Sequence, residues 1–112
     1  PDDRIGEPVL HCDPDKIASA MVAGMNYTWC GQSCGSTSRV FLHADIYDAV
    51  LERIPEHISR YKPGLPDDPA TTMGSLVDAN ALARVKSYIE SAHQEGARLI
   101  AGGTPPNDPA LA

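Results

Sequence analysis

The sequence contains few large aromatic side chains. Its 112 residues include one Phe and one Trp, although 42% of the residues are hydrophobic. Large aromatic side chains supply much of the buried area of a small core, so we expect this chain to fold alone only marginally. The length allows at most one small domain.

Basic charge and long apolar runs are also lacking. Nine Lys and Arg stand against 15 Asp and Glu, which gives a net charge of −6. The basic residues are scattered singly, whereas nucleic-acid-binding proteins present a basic patch, so this composition disfavours nucleic acid as a partner. No apolar run reaches the roughly 18 residues of a membrane span, and no signal peptide is found. The sequence therefore predicts no membrane partner and favours a cytoplasmic location.

The three cysteines are an odd number and do not form a disulfide framework. Free thiols are typical of a reducing compartment. Cys30 precedes Cys34 by four residues, but two thiolates without a nearby His or Asp are too few for a closed zinc site, so no metal is predicted. We interpret Cys30 as a neutral packing residue, and Cys12 as a core residue at the end of an apolar run.

The order of apolar runs and helical patterns predicts an α/β fold. Strands are predicted at residues 8–12, 39–43 and 98–101, with helices between them. This order is typical of a partial parallel sheet with helices packed on it.

Three helices are predicted from apolar spacing and capping residues. The first begins at Asp13 and Pro14 and runs to about residue 29. The second spans residues 45–61, and its predicted apolar face consists of Ile46, Val50, Ile54 and Ile58. Pro55 should kink or interrupt this helix. The residues expected on its solvated face are Glu52, Glu56 and His57. The third is capped by Asp78 and ends before Gly96; its predicted inward residues are Leu82, Val85, Ile89 and Ala92.

Small residues surround Cys34 in the stretch 31–39. Gly31, Ser33 and Gly35 leave the Cys34 sulfur open to a substrate, and a polar turn or helix end can favour the attacking thiolate. From composition alone, a buried structural cysteine is the default interpretation of such a residue.

Three ordered motifs change that interpretation. Residues 31–39, followed by Ile46 and Tyr47, resemble the active-site segment of the aldehyde dehydrogenase superfamily, whose pattern is Gly-Gln-x-Cys, four residues and Arg. Residues 62–76 resemble the next family motif, with Ser75 in place of a proline, and residues 84–103 resemble the helix and strand that follow. Such agreement over about 70 residues is far more specific than one short motif.

The resemblance implies a covalent mechanism at Cys34. Its thiolate would attack an aldehyde carbonyl to give a thiohemiacetal, a hydride would pass to NAD or NADP, and water would release a carboxylic acid from the thioester. The family's oxyanion hole combines the backbone N–H of this cysteine with an Asn side chain from another region.

The resemblance also implies supporting residues. Gln32 and Arg39 would hold the loop structurally. Trp29 stands where many members carry Asn, which leaves the aldehyde class open, and a core anchor is the other interpretation of this side chain. The residues expected to shape the substrate pocket are Tyr27, Thr28, Trp29, Ser33 and Gly35.

Several family elements have no counterpart in this sequence. The general-base Glu and the ribose-binding Glu of the family would fall before Pro1 and after Ala112, and no Rossmann glycine fingerprint is present. Ala81 occupies a cofactor-contact position that is often Gln, so cofactor-binding residues stay unassigned. We therefore expect residues 1–112 to be a fragment of the catalytic domain, without the Rossmann-type cofactor domain, from a homo-oligomeric enzyme.

Two other functions stay open. The chain would serve as a non-catalytic piece if it paired with other chains through sheet edges and an uncovered apolar face. It would be a thiol esterase if Cys34 acted without a cofactor.

Overall fold

The computed structural model describes residues 12–111 of the chain. Within them it forms three α-helices, α1 (Pro14–Gly24), α2 (Ala44–Ile58) and α3 (Ala79–Gln94). Two short 3₁₀ turns lie at Tyr27–Trp29 and Pro109–Leu111. None of the helices in this part of the chain is long and apolar enough to cross a bilayer.

Polar side chains cap the helix starts. The Asp13 carboxylate accepts a hydrogen bond from the Asp15 N–H at 2.9 Å, and Asp78 accepts one from the Ala81 N–H at 2.7 Å, so both predicted N-caps are confirmed. The cap of α2 is His43, whose Nδ1 accepts from the Asp45 N–H at 3.2 Å. Histidine is an uncommon N-cap, and the sequence did not predict this one.

The end of α3 is closed by a Schellman motif. The Gly96 N–H donates to the His93 carbonyl at 3.0 Å, and the Ala97 N–H donates to the Ala92 carbonyl at 2.9 Å. Gly96 has a φ of 87°, in the left-handed region that this motif needs. The predicted C-terminal role of Gly96 is confirmed.

The buried core lies between α1 and α2. The predicted apolar face of α2 is confirmed, because Ile46, Val50 and Ile54 are all buried. They pack with Ala18 and Val22 of α1. Because residues four apart lie on one face of a helix, this spacing places all five side chains in a single interface.

The first helix is shorter than predicted. It ends at Gly24 rather than near residue 29, because Asn26 adopts a left-handed conformation with φ 54° that no α-helix continues. The chain then turns back, and the Thr37 N–H donates to the Gly24 carbonyl at 2.8 Å. The nucleophile candidate therefore lies in a loop that closes on the end of α1.

Pro55 lies inside α2 without ending it. The helix continues to Ile58, so the expected interruption does not occur. Pro55 falls in the last turn, where it costs one hydrogen bond to the Leu51 carbonyl, and the buried Ile54 beside it keeps the turn packed.

The predicted strands do not pair within residues 12–111. This part of the chain has no β-ladder, and its one isolated parallel bridge joins Pro63 and Met73. Residues 39–43 and 98–101 lie outside helices and strands, and residues 8–11 of the first predicted strand lie outside the described residues. A strand needs a neighbour to satisfy its backbone N–H and C=O groups, so the partial parallel sheet stays a prediction.

The apolar face of α3 is uncovered, contrary to the expectation that it points inward. No residue of α3 is buried, and Leu82, Val85 and Tyr88 are exposed. The reason is the absence of a packing partner among residues 12–111, where the α1 and α2 interface forms the core.

Candidate functional site

Cys34 lies at the corner of a tight turn. The Ser33 carbonyl accepts from the Ser36 N–H at 3.2 Å, and the Ser33 Oγ accepts from the Gly35 N–H, also at 3.2 Å. These bonds place Cys34 and Gly35 at the two central positions of a β-turn. The Cys34 side chain is exposed, so a substrate has access to its sulfur.

A tightly coiled segment, residues 26–32, precedes this turn and contains the 3₁₀ turn. The Asn26 carbonyl accepts from the Trp29 N–H at 2.9 Å, and the Gln32 N–H donates to the Trp29 carbonyl at 3.0 Å. Asn26, Cys30 and Gly31 all have left-handed backbones, with φ of 54°, 58° and 70°. Three such residues within this short stretch fold the segment back on itself just before Cys34.

Cys30 connects this segment to the 62–76 loop. Its Sγ lies 3.1 Å from the Gly74 carbonyl oxygen and 3.4 Å from the Ser75 carbonyl oxygen. The half-buried Cys30 is therefore a hydrogen-bonding residue, in addition to the neutral packing residue that the sequence predicted.

Tyr27 anchors the start of the same segment. Its ring lies 5.3 Å from that of Tyr61, at an interplanar angle of 58°, and its hydroxyl donates to the Met25 sulfur at 3.0 Å. Burial, with a smaller contribution from Tyr61, raises the pKa of Tyr27 above the usual value of 10.0. Tyr27 is therefore protonated at neutral pH and acts here as a packing residue rather than a base.

The remaining predicted site residues differ in exposure. Trp29 is 70% exposed, so its interpretation as a core anchor is wrong within the described residues. Ser33 is half-buried. The predicted site residues with exposed side chains or backbone are Thr28, Trp29, Gln32, Gly35 and Arg39.

Cys34 lies at the surface of the part of the chain that the structure describes. One shallow depression lies against α3 beside Ile89 and His93, and another lies along α2 beside Leu51 and Ile100. Neither includes Cys34 or its turn. The predicted pocket residues are thus adjacent along the chain, but any walled substrate site needs further protein around them.

His57 forms a buried polar contact that the sequence interpretation missed. It is 4% exposed, and its Nε2 lies 2.9 Å from the Asp15 Oδ1, so its expected place on a solvated face is wrong. The signal was present in the spacing, since His57 follows Ile54 by three residues and Val50 by seven. The hydrogen bond from His57, helped by the nearby charge of Arg53, lowers the pKa of Asp15 below its usual 3.8.

Within the described residues, no group of three His, Cys, Asp or Glu side chains could hold a metal ion. The starts of α1 and α3 also do not suit the phosphates of a dinucleotide. Phosphates bind well at helix starts with free N–H groups, but Asp13 and Asp78 place carboxylates on the starts of α1 and α3. These residues do not fit the pyrophosphate of NAD or NADP.

The known proteins to which this chain is similar are aldehyde dehydrogenases. Residues 9–111 match the model of the family described as "Aldehyde dehydrogenase family". The chain is 56% identical over 92 residues to "Aldehyde dehydrogenase tropH" of Talaromyces stipitatus, an alignment that covers 81% of this chain and 18% of that protein.

The solved structures that resemble this chain include two aldehyde dehydrogenases. The gamma-glutamyl-gamma-aminobutyraldehyde dehydrogenase of Burkholderia cenocepacia J2315 matches with a TM-score of 0.76 and 38% identity, over 86% of this chain and 19% of that chain. An indole-3-acetaldehyde dehydrogenase in complex with NAD+ matches with a TM-score of 0.76 and 35% identity, over 86% and 19%. This chain therefore spans about a fifth of the length of these relatives.

Proposed function

This chain belongs to the aldehyde dehydrogenase family, and from that premise we propose that it is part of the catalytic domain of an enzyme that oxidises an aldehyde to a carboxylic acid with NAD or NADP. The nucleophile in this proposal is Cys34. The observation that carries it is the exposed thiol at the corner of a Gly/Ser turn, in a chain similar in fold to an enzyme solved with NAD+.

The turn geometry suits nucleophilic attack. In the proposed reaction the Cys34 thiolate forms a C–S bond to the aldehyde carbon, and the carbonyl oxygen becomes an oxyanion. The Cys34 N–H donates to no acceptor within residues 12–111, so it is available to stabilise that oxyanion. Collapse of the oxyanion would expel a hydride from this carbon and leave a thioester. Water then cleaves the thioester to the carboxylic acid and restores the thiol.

Residues on both sides of Cys34 would contact the substrate. We assign the exposed Thr28 and Trp29, with Ser33 and Gly35, to the aldehyde site, and Tyr27 to its buried side. The exposed Trp29 ring offers apolar area to the carbon skeleton of a substrate. Gln32 and Arg39 would hold the turn in place.

The oxidation needs a hydride acceptor, which NAD or NADP supplies when bound. Because the carboxylate-capped starts of α1 and α3 do not fit its pyrophosphate, we propose that a Rossmann-type domain of the complete enzyme holds the cofactor. The part of the complete enzyme outside this chain would also supply strands that form an α/β sheet with residues 39–43 and 98–101. A cytoplasmic homo-oligomer is part of this proposal.

The test compares two cysteine variants of the full-length enzyme. We expect Cys34→Ala to lower kcat for aldehyde oxidation by roughly a thousandfold or more, because the covalent route is lost. Cys12→Ala is the matched control, because Cys12 is also exposed, so its interpretation as a core residue is wrong within the described residues. This variant should keep wild-type turnover. The assay follows absorbance of the reduced cofactor with propanal or benzaldehyde.

Substantial turnover in Cys34→Ala would exclude this mechanism. Cys34-dependent ester hydrolysis in an enzyme that oxidises no aldehyde with either cofactor would instead support the thiol esterase.

A further inference from the structure

The thiol of Cys30 makes the side-chain hydrogen bond that reaches from the 26–32 segment to the 62–76 loop. Both the Gly74 and Ser75 carbonyl oxygens lie within reach of its single proton, at 3.1 and 3.4 Å. A thiol is a weak hydrogen-bond donor, but here its proton is directed at the carbonyl groups of the 62–76 loop. It joins two stretches that are more than forty residues apart in the sequence.

The acceptor side of this contact is firmly held. The Thr72 hydroxyl accepts from the Lys62 N–H at 2.7 Å, and the Lys62 carbonyl accepts from the N–H groups of Thr72 and Met73 at 3.0 and 3.2 Å. The Gly64 N–H donates to the Met73 carbonyl at 3.2 Å. Gly74 directly follows these bonds, so its carbonyl is a fixed point against which the thiol can hold the other segment.

On the donor side of the contact, the backbone conformation of Cys30 favours glycine at this position. Its φ of 58° lies in the left-handed region, where a Cβ is strained and glycine is not. Gly31 beside it already uses that freedom, with φ 70°. The thiol contact gives a physical reason for a side chain at position 30.

Cys30 is coupled to the nucleophile turn through the backbone. Its N–H donates to the Tyr27 carbonyl at 2.8 Å, and the Gln32 N–H donates to the Trp29 carbonyl at 3.0 Å. The turn that starts at Ser33 follows at once. Because these bonds make residues 26–32 one compact unit, a shift of Cys30 moves the base of the Cys34 turn.

We propose that Cys30 is a positioning residue for Cys34, which holds the nucleophile turn against the 62–76 loop through its hydrogen bond to the Gly74 carbonyl. This inference rests on the proposed role of Cys34 as the nucleophile. Cys30 touches no reacting atom; it fixes where the reacting sulfur stands.

Three substitutions in the full-length enzyme distinguish the effect of the thiol hydrogen bond from the effect of the left-handed backbone strain. Cys30→Ser keeps a donor, Cys30→Ala loses it and keeps the left-handed strain, and Cys30→Gly loses it and relieves the strain. We expect Cys30→Ala and Cys30→Gly to lower kcat by about three- to tenfold with little change in the KM of the cofactor, and Cys30→Ser to recover most of the loss. Cys12→Ala is the matched control.

Two further measurements make the result decisive. The rate of Cys34 alkylation by iodoacetamide, followed by peptide mapping, should change in the same two variants without any aldehyde or cofactor present. Thermal unfolding shows whether each variant folds. If Cys30→Ala and Cys30→Gly do not fold, Cys30→Ser decides the question by itself. A kcat of Cys30→Ser near the wild-type value supports the proposal, and a tenfold loss of its kcat overturns it. Wild-type kcat and alkylation rate in Cys30→Gly would show that only the backbone matters.

This outcome is distinct from failure of the proposed function. Persistent aldehyde oxidation in Cys34→Ala removes the nucleophile assignment, whereas an unaltered Cys30→Gly variant removes only the positioning role.

Discussion

His57 joins the two core helices through one hydrogen bond. It lies in the last turn of α2, and its Nε2 contacts the Asp15 carboxylate in the first turn of α1 at 2.9 Å. Arg53, whose Nη1 lies 3.6 Å from the same oxygen, adds a positively charged partner on the more exposed side. A buried imidazole needs such a partner, because an unsatisfied polar group inside a core is costly.

Asp15→Asn is therefore expected to remove an acid-sensitive part of the stability. The pKa of Asp15 is lowered from 3.8 in the folded state, mainly by the His57 hydrogen bond. A lowered folded pKa means that the stabilisation is full above 3.8 and is lost as the pH falls through the lower folded value. The free energy of unfolding of the wild type should thus fall more steeply with acid than that of the variant, as measured by urea unfolding.

The control is Asp67→Asn, in the exposed 62–76 loop, which should follow the wild-type acid dependence. If Asp15→Asn and the wild type lose stability in parallel below pH 3.8, the His57 contact does not stabilise the fold in the way described.

At the scale of the helices, stability is concentrated in the contact between α1 and α2. Val22 and Val50 are almost completely buried and face one another's helix within the core cluster. The α3 helix has strong caps at both ends but no buried residue. Its local hydrogen bonds define where it begins and ends, whereas tertiary packing in the described residues stabilises α1 and α2.

Val50→Ala should destabilise the protein by about 2 kcal/mol, because it leaves a cavity in a closely packed interface. The matched substitution Val77→Ala, at a side chain that is 78% exposed, should change the free energy of unfolding by less than about 0.5 kcal/mol. Chemical denaturation of both variants measures the difference. Equal effects would show that the α1 and α2 interface is not the main source of stability.

The starts of α1 and α3 and the end of α3 were predictable because their signals are local, whereas the His43 cap of α2 was not. Asp13 and Asp78 carry the capping oxygen themselves, and Gly96 supplies its own left-handed backbone. The end of α1 was not predictable in this way, because it depends on Asn26 turning left-handed and on the Thr37 N–H returning to Gly24. The small residues around Cys34 indicated an open thiol, but no spacing rule could reveal the link from Cys30 to Gly74.

At the scale of the whole molecule, much apolar surface of residues 12–111 is uncovered by other described residues. Phe41 is 92% exposed, and Leu82, Val85 and Tyr88 form an exposed apolar side of α3. The strands were predicted from apolar runs, but a run cannot pair with a strand that residues 12–111 do not supply. Both observations agree with a chain that spans about a fifth of the length of its relatives.

The 112-residue chain by itself is expected to show no NAD- or NADP-dependent aldehyde oxidation. Within its described residues Cys34 is exposed, and carboxylates cap the starts of α1 and α3 where a pyrophosphate could otherwise bind. Hydride transfer needs the cofactor and the substrate held close together in a fixed orientation. Purified chain mixed with aldehyde and either cofactor should give no reduced cofactor above a Cys34→Ala control. Cys34-dependent formation of NADH or NADPH would refute this expectation.

The closing of the loop between Gly24 and Ala44 has a consequence for synthesis on the ribosome. The α1 and α2 core uses only residues that lie close together in the sequence, so its contacts require the closure of one short loop. That loop carries Cys34, and the two helices can meet as soon as Ile58 has left the exit tunnel. We therefore expect the loop that carries Cys34 to close while residues 62–76, which supply the acceptor for the Cys30 thiol, are still inside the tunnel.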